Sequence, residues 1–226
     1  VASEIDICNL ALSFIGDDAN VSSINPPEGS RQAEHCSRFY PIARDGLLQM
    51  HRWNFASKRA LLASVTNPYS QWEYAYAVPA DLMDVVAVIP SDAADDYAIA
   101  FWPSGQPAWM HNYSPMLAAG QYVPQKYAVE IDASGTPVLY TNIGNALMRY
   151  QARVTDTSKF PPLFVHTLAW HLAQMLAGPV LKGDAGSNMA MNAIKQMALY
   201  LQQAKNADAL QRDSKVEHIV GWMSGR

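Results

Sequence analysis

From Ser3 to Gly16 the apolar residues Ile7, Leu10, Ala11, Phe14 and Ile15 recur at three- and four-residue intervals, the spacing of one helix face. Ser3 with Asp6 three places on reads as an N-terminal cap, and Gly16 as a stop. Residues 17–30, with Asn, Ser, Gly and Pro26-Pro27, predict a loop. A second helix should start near Ser30, with Cys36, Tyr40, Ala43, Leu47 and Met50 on one face. Pro41 falls inside it and predicts a kink or break, because proline removes a hydrogen bond and crowds the previous turn. That helix runs out near Trp53.

The period then changes from helical to alternating. Trp72, Tyr74, Tyr76 and Val78 alternate with Gln71, Glu73, Ala75 and Ala77, a strand pattern with an aromatic face. DVVAVI (Asp84 to Ile89) and YAIAFW (Tyr97 to Trp102) predict two more strands. YAVEID and PVLYTN flank Ala133-Ser134-Gly135-Thr136 as a hairpin, and Ala146 to Val154 alternates again. Between them Pro103 to Lys126 carries Pro107, Pro115 and Pro124 with Trp109, Tyr113 and Tyr122. A loop this long is uncommon and often functional; this one is expected to project.

Helical signals return at Phe160 to Leu181, FPPLFVHTLAWHLAQMLAGPVL, which contains no Asp, Glu, Lys or Arg. Pro161-Pro162 suits a start and Gly178-Pro179 a stop. The helical part between them would span about 24 Å at ~1.5 Å per residue, short of a bilayer core of about 30 Å. The pattern therefore predicts a central core helix, or one covered by a neighbouring subunit, with Thr167, His171 and Gln174 as its polar stripe. KGDAGS reads as a loop, after which Asn188 caps a long helix to about Asp213 with Ala190, Ile194, Met197, Leu201 and Ala204 on its apolar face.

Helix, then strand, then helix gives an α+β class: a helical bundle built from both chain ends with an inserted antiparallel β domain. The expected boundaries are 1–66 and 157–215 for the discontinuous bundle, 67–156 for the β domain and 216–226 for a C-terminal tail.

Composition sharpens this picture. Half of the 226 residues are hydrophobic and only 16% are charged, against about 25% in an average globular chain. Interface cores are depleted in charge, so the shortage points to surface covered by other chains. The net charge of -4 argues against a broad nucleic-acid-binding patch but not against a pore through which DNA slides. Cys8 and Cys36 read as buried reduced thiols, and the polar, acidic N-terminus carries no signal-peptide pattern.

Catalytic chemistry finds little support. No G-x-S-x-G, P-loop, G-x-G-x-x-G, H-E-x-x-H or C-x-x-C motif is present. His166 and His171 are five apart, off the spacing that aims two imidazoles at one metal, and Asp17-Asp18 and GDAGSN lack an EF-hand alternation. No metal or other cofactor is expected. Asp92, Asp95, Asp96, Glu130 and Asp132 could serve a glycan hydrolase with Trp102 and Trp109 as stacking faces; solvated loop acids and packed aromatics are the simpler reading. Arg149 and Arg153 read as a surface pair. The last eleven residues, VEHIVGWMSGR, are unusual for a terminus: Val216, Ile219, Val220, Trp222 and Met223 should find a groove on this chain or another, with Trp222 as anchor.

Taken in order, YPIARDGLLQMHRWNFASKRALLA (Tyr40 to Ala63), WEYAYAVPAD (Trp72 to Asp81) and LYTN with LMRYQARVTDTSKFPPLFVHTLAWHLAQMLA (within Leu139 to Ala177) resemble the tail tubular protein A family, the head-to-tail adaptors of short-tailed phages. The N-terminal ALSFIGDDANVSSI is also similar. Pro41 stands where that family more often has an acidic residue, and the 103–126 loop is longer than the resemblance implies.

The resemblance implies a virion protein, assembled in the host cytoplasm, that forms a ring, usually of twelve subunits, beneath the portal. The ring surrounds a channel for double-stranded DNA without reading its sequence, and has no membrane anchor. The partners implied are further copies, the portal protein, the tail nozzle and tail fibres. The expected contacts are Val216, Ile219, Val220, Trp222 and Met223 on portal, Trp109, Tyr113 and Tyr122 on fibre or nozzle, and Trp170, His171 and Gln174 between subunits. The competing readings are the tail-borne glycan hydrolase above and a cytosolic interaction module.

Overall fold

The computed structural model describes residues 2–18, 20–91 and 125–211. Their fold is α+β: N-terminal and C-terminal helices pack together, and two antiparallel sheets are inserted between them in the chain. The described residues of 1–55 and 155–226 form one compact unit and Ala56–Val154 the other.

In the helical unit, α1 (Glu4–Phe14) begins with a capping box. Ser3 Oγ accepts from the Asp6 amide at 3.1 Å, and the Asp6 carboxylate accepts from the Ser3 amide at 2.8 Å. The Ser3 amide and the Ser3 hydroxyl, both donating to it, hold the Asp6 carboxyl below its ordinary pKa. Gly16, at φ 80°, ends the helix: its amide donates to Ser13 O, and the Asp17 amide donates to Leu12 O. This pair of bonds closes a Schellman motif, and the left-handed conformation suits glycine. The following loop is pinned by Asn9, whose side chain donates to Val21 O (2.9 Å) and accepts from Val21 N (2.8 Å).

α2 (Arg31–Gln49) is capped by Ser30 and runs unbroken through Pro41, so the expected break does not occur. Pro41 lies on the exposed side, where water can reach the Ser37 carbonyl that its missing N–H leaves unpaired. Cys36, Tyr40, Ala43 and Leu47 are buried as expected, whereas Met50 is exposed. Cys8 and Cys36 are both buried and unlinked. Beyond α2, Trp53 is 1% exposed and donates from Nε1 to Leu47 O at 3.0 Å. Its ring meets Phe164 edge-on at 5.1 Å, and Phe55 and Phe160 complete the aromatic cluster at 4.9 and 4.8 Å from Phe164.

α3 (Pro162–Leu181) packs against α1, α2 and α4 (Gly183–Ala209). It is the central helix of its unit, with Phe164, Leu168, Ala169, Leu172, Ala173, Leu176 and Ala177 fully buried. Its uncharged sequence is thus largely accounted for inside one chain. The expected stop at Gly178-Pro179 is corrected: the helix continues to Leu181, because glycine has no Cβ to crowd the following proline ring. The expected KGDAGS loop and Asn188 cap are corrected too. One residue, Lys182 at φ 56°, separates α3 from α4, and Gly186 explains the tight return: a Cβ there would stand 2.8 Å from Ala177 O.

The inserted unit holds a three-stranded sheet, β1 (Ser57–Leu61), β7 (Ala146–Ala152) and β4 (Leu82–Pro90) in that spatial order. Its four-stranded sheet is ordered β2 (Ser64–Val65), β3 (Tyr74–Ala77), β6 (Pro137–Thr141), β5 (Tyr127–Ile131). The strands begin earlier than the alternating pattern announces, since β1 and β2 precede Trp72. The expected β5–β6 hairpin forms, and Asp132 closes it by accepting from Ser134 N and Thr136 N at 2.8 and 2.9 Å. The expected strand Tyr97 to Trp102 lies outside the described residues. Tyr76 and Leu139 of one sheet share a core with Val85, Val88, Met148 and Tyr150 of the other. Asp81 ties this unit together, accepting from Tyr150 Oη at 2.9 Å and Lys58 Nζ at 2.5 Å.

Candidate interaction surfaces

α4 presents two apolar rows. Gly186, Ala193, Met197 and Ala204 form the buried row against α3. Ile194, expected in that row, does not belong to it. With Met191 and Ala198 it follows i, i+3, i+7 spacing on a second row, turned outward. Met191 is 62% exposed, Ile194 51% and Leu199 57%, and Ile42 on α2 and Met50 just past its end are also exposed. No other described element covers these side chains. A helix with apolar residues on the outward as well as the inward face has more apolar surface than its own unit buries.

The three residues expected between subunits have partners within the helical unit. Trp170 stacks on Phe14 with ring centroids 4.1 Å apart. His171 is buried on the side of α2, where a Cβ at Gly46 would lie 3.5 Å from its Nε2, and Gln174 Nε2 lies 2.8 Å from its Nδ1. Burial lowers the pKa of His171, favouring the neutral ring.

At the end of α4 nearest the start of α3, Trp53, Pro161, Pro162, Leu163, Phe164 and Ala207 line an apolar groove of about 340 Å³. Asp208 and Gln211 border it. Asp208 is 4% exposed and faces its own unit: its carboxylate accepts from Asn54 N at 3.0 and 3.2 Å and lies 3.3 Å from His51 Nε2, while its carbonyl accepts from Asn54 Nδ2 at 2.6 Å. These bonds fix the 51–54 turn and hold Trp53 against the groove. Sequence reasoning missed Asp208. The available signal was an acid in the last turn of a helix, where it opposes the helix dipole and so calls for a tertiary partner.

In the inserted unit, β5 lies at an edge among the described strands, and its Tyr127, Val129 and Ile131 are exposed. Of the acids considered for hydrolysis, Glu130 is exposed on β5, and the Asp132 carboxylate serves the hairpin turn. Its hydrogen bonds to Ser134 and Thr136 hold its pKa below the ordinary carboxylate value, which is the wrong direction for a general acid. Arg149, expected on the surface, is buried and stands directly opposite Arg59 on β1, while Arg153 is exposed; both arginines are engaged. Asp92, Asp95 and Asp96, the loop residues Trp109, Tyr113 and Tyr122, and the tail residues Val216, Ile219, Val220, Trp222 and Met223 lie outside the described residues. Among the described residues no three His, Cys, Asp or Glu side chains converge as metal ligands, and no helix is long and apolar enough to cross a membrane. In comparisons with known proteins, no family model and no curated relative matches the chain.

Proposed function

We propose that the chain is a structural adaptor that works by association with copies of itself and with other virion proteins. The observation that carries this reading is the outward apolar row of α4, Met191, Ile194 and Ala198, with Leu199 beside it. Closed rings use heterologous contacts between two different patches of one chain. The α4 row would supply one patch, and the α2 surface around Ile42 is a candidate for the other.

The resemblance to the tail tubular protein A family gives the assembly its setting: a ring between portal and tail nozzle around the DNA channel. In that setting function is assembly. Copies gather on the portal ring and then present a new surface to the next tail protein. The charge-poor, slightly acidic composition suits a conduit that must release its DNA rather than hold it.

Electron micrographs of the protein with and without portal test this. A closed ring of about a dozen copies, formed with portal and abolished by Ile194→Asp without loss of helical circular dichroism, is the expected result. Monomers alone under both conditions, or rings indifferent to Ile194→Asp, would count against the reading. The glycan hydrolase draws less support, since Asp132 already holds a turn.

A further inference from the structure

The groove beside the end of α4 has a size and chemistry that call for an occupant. About 340 Å³ of space is walled by Trp53, Pro161, Pro162, Leu163, Phe164 and Ala207, within the range of sites that take a bulky side chain. The nearby carboxylate of Asp208 is turned to Asn54 and His51, so it does not make the wall anionic.

The described chain ends at Gln211, which itself borders the groove. Residues 212–226 follow, and they include Val216, Ile219, Val220, Trp222 and Met223. We infer that this segment of the same chain folds back into the groove, with Trp222 as its anchor. Trp222 is eleven residues beyond Gln211, a tether of at most about 36 Å when extended, so it can return to a site at its own root. Covalent linkage through this many residues holds the far end at an effective concentration of order millimolar. A second copy at micromolar concentration competes poorly with that. On this inference the tail and the groove are each other's first partner, and any other protein that takes the tail competes with the groove. The inference stands on the groove and the tail alone and does not rest on the portal reading.

Photo-crosslinking of the full chain carrying Trp222→p-benzoylphenylalanine tests it without portal. Crosslinks from position 222 to peptides 160–164 or 204–211 are expected at the mass of one chain, with a yield unchanged by about tenfold dilution. Ala207→Asp places a charge on the exposed groove wall and should lower that yield about tenfold, because a charge against an apolar ligand is costly. If that variant loses helical circular dichroism, Gln211→Trp, which fills the groove mouth, should show the same loss. Crosslinks only at the mass of two chains, crosslinks mapping elsewhere, no crosslinks, or a yield indifferent to the folded groove variant would each overturn the inference.

Discussion

Replacing Asp208 by alanine removes the acceptor that holds the 51–54 turn to α4. The carboxylate takes the Asn54 amide through both oxygens at 3.0 and 3.2 Å and approaches His51 Nε2 at 3.3 Å. A hydrogen bond to a charged group contributes about 1.5–3 kcal/mol, and an orphaned donor costs about 1–3 kcal/mol if it stays buried. Against this, removing an acid from the last turn of α4 relieves an unfavourable dipole interaction of about 0.3–1 kcal/mol. The bond from Asn54 Nδ2 to the Asp208 carbonyl survives, since it uses only backbone of residue 208. The net expected loss is about 2 kcal/mol. Asp208→Asn keeps one oxygen for the Asn54 amide and should lose about 1 kcal/mol or less. Asp184→Ala, an exposed acid in the first turn of α4, controls for charge on the same helix and should lose only about 0.3–1 kcal/mol.

Urea denaturation followed by far-ultraviolet circular dichroism and tryptophan fluorescence reads these changes. With a slope of about 2 kcal/mol per molar urea, Asp208→Ala should lower the midpoint of the helical transition by about 1 M. A midpoint within about 0.2 M of the parent, or an asparagine variant as unstable as the alanine one, would refute the assignment of Asp208 as a tertiary acceptor.

Gly186→Ala should cost about 1–3 kcal/mol, because the new Cβ meets Ala177 O at 2.8 Å; a thermal melt no lower than the parent's would contradict the close approach of α3 and α4. Burial and the hydrogen bond to Asp81 push the Tyr150 phenol up to about 12. The folded state therefore holds this proton more tightly than the unfolded one, and its contribution of roughly 2–3 kcal/mol is complete below about pH 10 and fades from pH 10 to 12. Tyr150→Phe should flatten that alkaline loss in the transition of the β unit. Deleting residues 216–226 should leave a folded chain that no longer binds a portal ring in co-sedimentation; normal binding would remove the tail from that role.

Local signals in the sequence translated directly into structure. Ser3 with Asp6, Gly16, Ser30 and the Asp132 to Thr136 hairpin each depend on atoms within a few residues, so their geometry is written where it is read. Both internal prolines misled for the opposite reason. Whether Pro41 breaks α2 depends on whether its orphaned carbonyl can reach water, and whether Pro179 ends α3 depends on the Cβ missing from Gly178. The small residues of GDAGS resemble a loop in composition, yet Gly186 serves a helix–helix contact that only the packed structure reveals. Ile194 shows the same limit: its spacing marks an apolar row on α4, but only the position of α3 decides which row is covered. The Asp208 contacts span more than 150 residues of sequence and have no local signature beyond a charge at an awkward helix end.

The discontinuity of the helical unit has a consequence during synthesis. α1 and α2 leave the ribosome before α3, the helix that covers their apolar faces, which follows only after roughly 110 further residues. At about 5–20 residues per second, the nascent N-terminal pair waits on the order of 5–20 s, while the inserted strands can already be pairing beside it. Ile7, Leu12, Tyr40 and Leu47 have no native partner on α3 throughout that interval. A permuted gene that placed α3 and α4 before α1 would shorten the delay.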